Sequence, residues 1–308
     1  MTAAERGFLL LCAELGDGLK PLTPAQLRTL RVRVLARGEG EPAPERELTQ
    51  ADLTALGYDP SFAARIRALL EREAALNRYL ALGAELGIRP VTRVSPAYPP
   101  RLRLLGADAP AVLFCRGDAA LLGRPAVALV GSREVTASGR AFARRVGELA
   151  AREGFVLVSG NARGADQCAQ EACLGAGGAV IAVLPDSLTE HAPESDRILY
   201  LCRDGWHLPM APYRALARNR LIHALGEKTL AAQSRLTGGT WSGSEENLRR
   251  GWSPLFVNES GGPGCAQLIT LGATPVRLCE LESLASLQPL MLPLQPVFRF
   301  EDEVENDS

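Results

Sequence analysis

The sequence lacks most of the features that mark a membrane protein, a metal centre or a common hydrolase. Its 308 residues contain no apolar run of about 18 residues, the length that a membrane-spanning helix needs. The seven cysteines form no C-x-x-C pair and the three histidines show no ligand spacing, so we predict buried free thiols rather than a disulfide framework or a metal site. Neither a G-x-x-x-x-G-K-[ST] loop nor a G-x-S-x-G elbow is present, which disfavours P-loop hydrolysis and serine-hydrolase chemistry.

Positive charge and aromatic residues are also scarce. The formal net charge is −1 and aromatic residues make up 5% of the chain, whereas a protein that coats nucleic acid is usually basic overall. Any contact with nucleic acid must therefore come from a local cluster of arginines. The first 16 residues carry Glu5 and Glu14 and have no basic start, so they favour an amphipathic helix over a signal peptide, and we expect a cytoplasmic protein.

Composition and hydrophobic pattern divide the chain into three parts. Residues 1–90 are rich in Ala, Leu, Arg and Glu, with apolar residues at helical spacing over 65–86, and predict a small all-helical domain with an exposed loop at 38–44. Residues 91–280 predict an α/β domain. Residues 281–308 end in an acidic stretch that we expect to be a solvated, disordered tail.

The α/β prediction depends on short apolar runs that alternate with helical segments and glycine turns. The runs lie at 126–130, 155–158, 179–184, 229–232 and 255–257. Continuous runs of this length are typical of parallel strands that are buried on both faces. The fold class predicted is therefore a Rossmann-like, doubly wound, mostly parallel sheet preceded by the helical domain.

Three glycine turns follow predicted strands, at the edge of the sheet where α/β proteins bind ligands. Each combines glycines with residues that can contact an anion or a sugar, so together they predict a phosphate-binding site. The candidate residues are Gly131, Ser132 and Arg133 in the first turn, Ser159, Gly160, Arg163, Gly164 and Asp166 in the second, and Gly238, Gly239 and Thr240 in the third. Arg218, Asn219 and Arg220 form a further cluster suited to phosphate and base-edge contacts.

Each turn also has a plainer interpretation. The first turn and Asp166 are equally compatible with helix capping, the third turn with a surface loop, and the 218–220 cluster with salt bridges. Trp241, beside the third turn, needs either a stacking partner or a packing groove.

These residues resemble the DNA-processing protein A (DprA/Smf) family, which lies in a wider group of Rossmann-like domains that includes the "Lonely Guy" enzymes. The matching stretches occur in family order over residues 98–275. They are 98–102, 110–114 with Arg116 and Gly117, 130–133, 159–160 with 162–164 and Asp166, and 218–220.

The resemblance implies a single-stranded DNA-binding protein that helps to load the RecA recombinase during natural transformation, and that tends to form a homodimer. It places Gly131, Ser132 and Arg133 in a phosphate pocket, with Arg163 and Gly164 as its neighbouring wall. It implies that Arg218, Asn219 and Arg220 contact the strand. It implies no cofactor.

Two other functions stay open. One is a nucleotide sensor or nucleoside-phosphate hydrolase, for which Asp166 or Glu245 would supply the carboxylate; residues 237–245 resemble the P-G-G-x-G-T-x-x-E loop of the Lonely Guy enzymes but lack its proline and register. The other is a scaffold with a vestigial pocket. Because no nucleophile–base arrangement is evident, the sequence favours a binding protein over an enzyme.

Overall fold

The computed structural model describes residues 1–36, 48–283 and 287. The predicted loop at 38–44 and most of the predicted acidic tail lie outside these residues. In the described part, no helix is both long and apolar enough to cross a membrane.

Within residues 1–36 and 48–87, five helices precede the sheet: α1 (Ala3–Cys12), α2 (Pro24–Ala36), α3 (Gln50–Ala55), α4 (Pro60–Leu70) and α5 (Glu73–Glu85). Their starts follow ordinary capping rules. Thr2 and Thr49 each begin a helix with a reciprocal capping box, and Asp59 caps α4 ahead of Pro60.

The continuous helical spacing over 65–86 is interrupted in the structure. Helix α4 ends at Leu70 and α5 begins at Glu73, with Arg72 between them. The Arg72 side chain is buried, and its guanidinium donates to the carbonyls of Leu10 (2.8 Å) and Ala13 (2.7 Å) at the end of α1. The end of α1, the end of α4 and the start of α5 therefore meet at the buried Arg72. The spacing of apolar residues along the sequence does not predict this arrangement.

The sheet has nine strands: β1 (Ile88–Thr92), β2 (Val112–Gly117), β3 (Ala126–Val130), β4 (Val156–Ser159), β5 (Ala179–Val183), β6 (Ile198–Arg203), β7 (Thr229–Ala231), β8 (Leu255–Asn258) and β9 (Thr274–Val276). They lie in the order β1-β2-β6-β5-β4-β3-β7-β8-β9. Strands β3 to β9 are mutually parallel, and the five predicted runs correspond to β3, β4, β5, β7 and β8. Strands β1 and β2 extend the sheet in antiparallel pairing and were not predicted as strands.

Helices α6 (Ala137–Arg152), α7 (Ala165–Gly175), α8 (Pro212–Leu225), α9 (Gly239–Arg250), α10 (Pro263–Thr270) and α11 (Leu278–Ser283) cover the parallel strands. Phe142, Val146 and Leu149 of α6 pack with α7 on one face, and Leu221 and Ile222 of α8 belong to the apolar cluster on the other face, which also includes Leu268 of α10. This confirms the Rossmann-like, doubly wound prediction.

The order of the parallel strands fixes where a ligand can enter. The chain runs from β3 outward through β4 and β5 to β6, and returns to the other side of β3 to build β7, β8 and β9. The connections after β3 and β7 therefore leave the sheet in opposite directions, and a crevice opens between them at the carboxyl edge.

The helical part and the antiparallel edge share one apolar cluster. Leu9, Ile66 and Leu76 from the helices pack with Val112 and Phe114 of β2. Tyr79 of α5 stands at this junction: its ring stacks on Trp206 with centroids 4.8 Å apart, and its hydroxyl accepts a hydrogen bond from the Trp206 amide (2.8 Å). The boundary predicted at residue 90 falls within strand β1, which pairs with β2, and the independence of the helical domain stays a prediction.

Replacing Tyr79 by Phe tests this junction. The substitution leaves the buried backbone N–H of Trp206 without its acceptor. We therefore expect the free energy of unfolding, measured by urea denaturation, to fall by about 1–3 kcal/mol. The exposed Tyr213 is the control, because Tyr213→Phe should change the same quantity by less than about 0.5 kcal/mol. Equal effects of the two substitutions would contradict the role assigned to Tyr79.

Candidate nucleic-acid interface

A cleft of about 390 Å³ lies at the crevice between the ends of β3 and β7. Residues after β3, the first turn of α7, one face of α8 and the start of α9 line it. Of the predicted site residues, it brings together Gly131, Ser132, Arg133, Asp166, Arg218, Asn219, Gly238, Gly239 and Thr240. Residues from four separate segments of the chain therefore meet in one cavity.

The first glycine turn serves close packing. A side chain at Gly131 would overlap the Cβ of Ala165, and one at Gly164, whose φ is 88°, would overlap the carbonyl oxygens of Ser132 and Arg133. The Ala165 amide also donates to the Ser132 carbonyl (3.2 Å). The loops after β3 and β4 are thus pressed together, which glycine alone permits.

This turn is separated from the next helix, and Ser132 is hydrogen-bonded within the protein. The turn does not begin a helix, because α6 starts at Ala137 with Thr136 as its N-cap. The Ser132 amide and hydroxyl both donate to the Gln233 carbonyl, at 3.0 and 3.3 Å, so neither donor is left for an anion. Of the three residues, Arg133 remains as the exposed candidate for phosphate.

The second turn closes around Asp166. Its Oδ2 atom accepts hydrogen bonds from the amides of Gly160 (3.1 Å) and Ala162 (3.3 Å), so the carboxylate shapes the loop between them. Burial raises the pKa of Asp166 to about 6, although Arg218 and the two amides favour its charged form. Ser159 lies below the cleft and accepts a hydrogen bond from Gln170 (2.5 Å); it is fully buried and is not placed to bind a ligand.

Arg218 is the buried cation of the cleft. Its guanidinium lies over Gly160, where any side chain would collide with it, and nine-tenths of the residue is buried. Burial lowers the pKa of Arg218, while the charges of Asp166 and Asp186 oppose that shift. In the described part of the chain, the Arg218 Nε atom and the Asp186 Oδ1 atom are buried without a hydrogen-bond partner.

The third turn begins helix α9. Gly238, with φ of 96°, is the N-cap, and Gly239 and Thr240 form the first turn with Trp241. The amides of a first helical turn have no acceptor within the helix, so this end carries free donors and the positive end of the helix dipole. Asn219 ties α8 to this turn by donating to the Gly239 carbonyl (2.9 Å).

A second, wider groove of about 730 Å³ adjoins the cleft, and Arg133, Glu134 and Arg235 line both. We call it the arginine groove, because Arg133, Arg140, Arg163 and Arg235 lie along it. The structure therefore places Arg163 and Gly164 in this neighbouring groove. The sequence did not single out Arg235, Arg140 or Glu134 as site residues, since they lie in no glycine motif. Their charge was the only property that could have identified them.

Three other candidates lie away from the cleft. Arg220 forms ion pairs with Asp108 (3.2 Å) and Glu246 (3.0 Å), which is the salt-bridge alternative for this residue. Glu245 lines a separate groove with Arg220 and Arg249, so it does not line the cleft that contains Asp166. Trp241 belongs to α9, where it packs against the apolar core.

Comparisons with known proteins agree with the resemblance. The family model described as DNA recombination-mediator protein A matches residues 89–286. The DNA processing protein DprA of Bacillus subtilis (strain 168) is 29% identical over 267 residues, which are 77% of this chain and 84% of that protein. The structure of DprA from Streptococcus pneumoniae superimposes with a TM-score of 0.66 at 24% identity, and covers 85% of this chain and 97% of that one.

A second solved structure is the DNA processing protein A of Helicobacter pylori, described for its single-stranded DNA binding mode. It superimposes with a TM-score of 0.53 at 28% identity, and the match covers 61% of this chain and 90% of that one.

The raised pKa of Asp166 predicts a dependence of stability on pH. Between the usual carboxyl pKa of 3.8 and about 6, the unfolded chain ionises while the folded chain keeps its proton. Wild-type stability should therefore fall with rising pH through this window, by about 3 kcal/mol relative to Asp166→Asn, since each pKa unit corresponds to about 1.4 kcal/mol. Denaturation at a series of pH values measures this difference. The exposed Asp196→Asn is the control, and a difference from wild type that does not change with pH would contradict the prediction.

Proposed function

We propose that this chain, which belongs to the DNA recombination-mediator protein A family, binds single-stranded DNA along the arginine groove and the adjoining cleft. Its relatives place it among DNA-processing proteins. The single observation that carries the proposal is the continuity of the two cavities, because four arginines from the loops after β3, β4 and β7 and from α6 line one path.

The arginine groove suits the phosphates of the strand. Arg133, Arg140 and Arg163 are exposed, and each guanidinium offers several donors in a planar arrangement that matches phosphate oxygens. Phosphate contacts of this kind provide affinity without reading sequence. A strand lying in the groove would meet cations at successive positions and continue into the cleft past Arg133 and Arg235.

The start of α9 supplies a further phosphate contact inside the cleft. The first-turn amides of Gly239 and Thr240 border the cavity, and glycine at 238 and 239 lets an anion approach the backbone closely. Gly131 and Gly164 contribute indirectly by holding the two neighbouring loops in register.

Three carboxylates limit the positive charge of this surface. Glu134 forms an ion pair with Arg235 at the border of the two cavities, Glu171 lines the arginine groove, and Asp166 opposes Arg218 in the cleft. The path is therefore only locally basic, which is compatible with a net charge of −1. Binding by such a surface would depend strongly on ionic strength.

The family's description as a recombination mediator supports RecA as the protein partner that receives the bound strand. We also propose a homodimer as the working unit, in line with the resemblance, and retain the division into a helical domain (1–90), a DNA-binding domain (91–280) and an acidic tail (281–308).

Removal of Arg163 tests the proposed path. For Arg163→Ala we expect about tenfold weaker binding of a labelled single-stranded oligonucleotide, equivalent to about 1.4 kcal/mol. The slope of log affinity against log salt should decrease in magnitude by about 0.7, the contribution of one phosphate contact on a single strand. Fluorescence anisotropy at several salt concentrations measures both quantities, and Arg133→Ala should behave in the same way.

Arg249→Ala is the matched control, because Arg249 is exposed in the last turn of α9 and lies outside both cavities. It should leave affinity and slope close to those of the wild type. Equal effects of Arg163→Ala and Arg249→Ala would place the strand elsewhere, and no binding by the wild type at low salt would refute the proposed function.

A mononucleotide is the second candidate ligand, favoured by the size of the cleft. A volume of about 390 Å³ that joins a helix start to a buried arginine is sufficient for one nucleotide. If this were the physiological ligand, a nucleoside monophosphate alone would raise the melting temperature of the protein and displace the oligonucleotide. We expect neither effect at micromolar concentration, because the arginine groove would remain empty.

A further inference from the structure

We propose that the part of the cleft beside Asp166 receives one base of the bound strand and favours a base that carries an amino group. This inference rests on the proposed function, since it assumes that a single strand occupies the arginine groove. In this arrangement the phosphates of the strand contact the arginines and the start of α9, while one base lies inside the cleft.

The floor of the cleft is suited to a base rather than to a phosphate. Val130 at the end of β3 and Ile222 of α8 are buried beneath it, and Ala215 lines its side. His223, also in the lining, is fully buried, and burial lowers its pKa to about 3, so it is neutral. An uncharged floor of this kind can bury the faces of an aromatic ring, whereas a phosphate would lose its hydration there without compensation.

The Asp166 carboxylate provides an acceptor at the edge of this floor. Both loop amides donate to Oδ2, so Oδ1 keeps its lone pairs without a hydrogen-bond partner among the described residues. Since the pKa of Asp166 is about 6, the group is ionised in a neutral or mildly alkaline buffer and can only accept. A phosphate would be repelled at this position, and an N–H donor would be attracted.

Arg218 provides the complementary donor. The Arg218 guanidinium lines the same cavity as Asp166. A Cβ placed at Gly160 would lie 1.5 Å from Arg218 Nη1 and 2.8 Å from Asp166 Oδ2, so a guanidinium N–H and the carboxylate lie side by side. Such a donor and acceptor match the Watson–Crick edge of cytosine, where the N4 amino group donates and N3 accepts.

Thymine matches the pair less well. Its only ring donor, N3–H, lies between two carbonyl oxygens, and both oxygens would face the carboxylate with partial negative charge. An amino group projects beyond the ring and avoids this contact. Discrimination through such a pair of contacts is typically worth about 1–3 kcal/mol, so at least a fivefold preference is expected.

The test compares two oligonucleotides of about 20 nucleotides, one of thymine and one of 5-methylcytosine. These bases share the 5-methyl group and differ only in the hydrogen-bonding groups at positions 3 and 4. Fluorescence anisotropy on the wild-type protein should show at least about fivefold tighter binding of the 5-methylcytosine strand. Arg163→Ala should weaken both strands by the same factor, because a phosphate contact is independent of the base.

Asp166→Asn identifies the residue responsible. Its amide oxygen can still accept from the two loop amides, while its NH₂ group replaces the Oδ1 acceptor by a donor, so the preference for 5-methylcytosine should disappear or reverse. Circular dichroism confirms that this variant is folded.

The outcomes separate the two proposals. Equal wild-type affinities for the two strands would overturn the base pocket and leave the DNA-binding function intact. A preference that persists in folded Asp166→Asn would overturn the role of Asp166. If the wild type bound neither strand, the proposed function itself would fail, and the inference with it.

Discussion

The close approach of the loops after β3 and β4 is the constraint on which the rest of the site depends. Gly131 and Gly164 allow the two backbones to touch, and Asp166 then folds the second loop by accepting from the amides of Gly160 and Ala162. This arrangement leaves room above Gly160 for the guanidinium of Arg218, which enters from a helix more than 50 residues later. A carboxylate and an arginine are thereby buried together at the edge where the sheet binds ligands.

That buried pair gives the two cavities different chemistry. In the cleft, the charge of Arg218 is balanced by Asp166 and Asp186, so directional hydrogen bonds decide what binds. In the arginine groove the cations are exposed and are opposed by Glu134 and Glu171, so charge and salt concentration determine what binds. A single strand of nucleic acid has both kinds of group, since charged phosphates alternate with uncharged bases along its length.

The sequence predicted the central parallel strands but not the strands toward the two edges of the sheet. Strands β3, β4, β5, β7 and β8 are continuous apolar runs, because both of their faces are covered by helices. Strands β1, β6 and β9 have alternating or mixed burial, so their patterns are too weak to distinguish from loops. The sequence did not predict the break between α4 and α5 at Arg72, because the carbonyls that Arg72 contacts lie some 60 residues away in the chain.

The amino-acid sequence by itself determined the Rossmann-like fold, the family and the three loops that build the site, because strand periodicity, glycine turns and motif order are local properties. Only the tertiary structure decided what each residue does there. It assigned Ser132 and Ser159 to internal hydrogen bonds, moved Arg220 and Glu245 to another surface, and brought Arg235 and Arg140 to the groove. The reason is physical: a side chain's partners depend on which distant segments pack beside it, and that is set by the burial of the whole sheet rather than by neighbours in the chain.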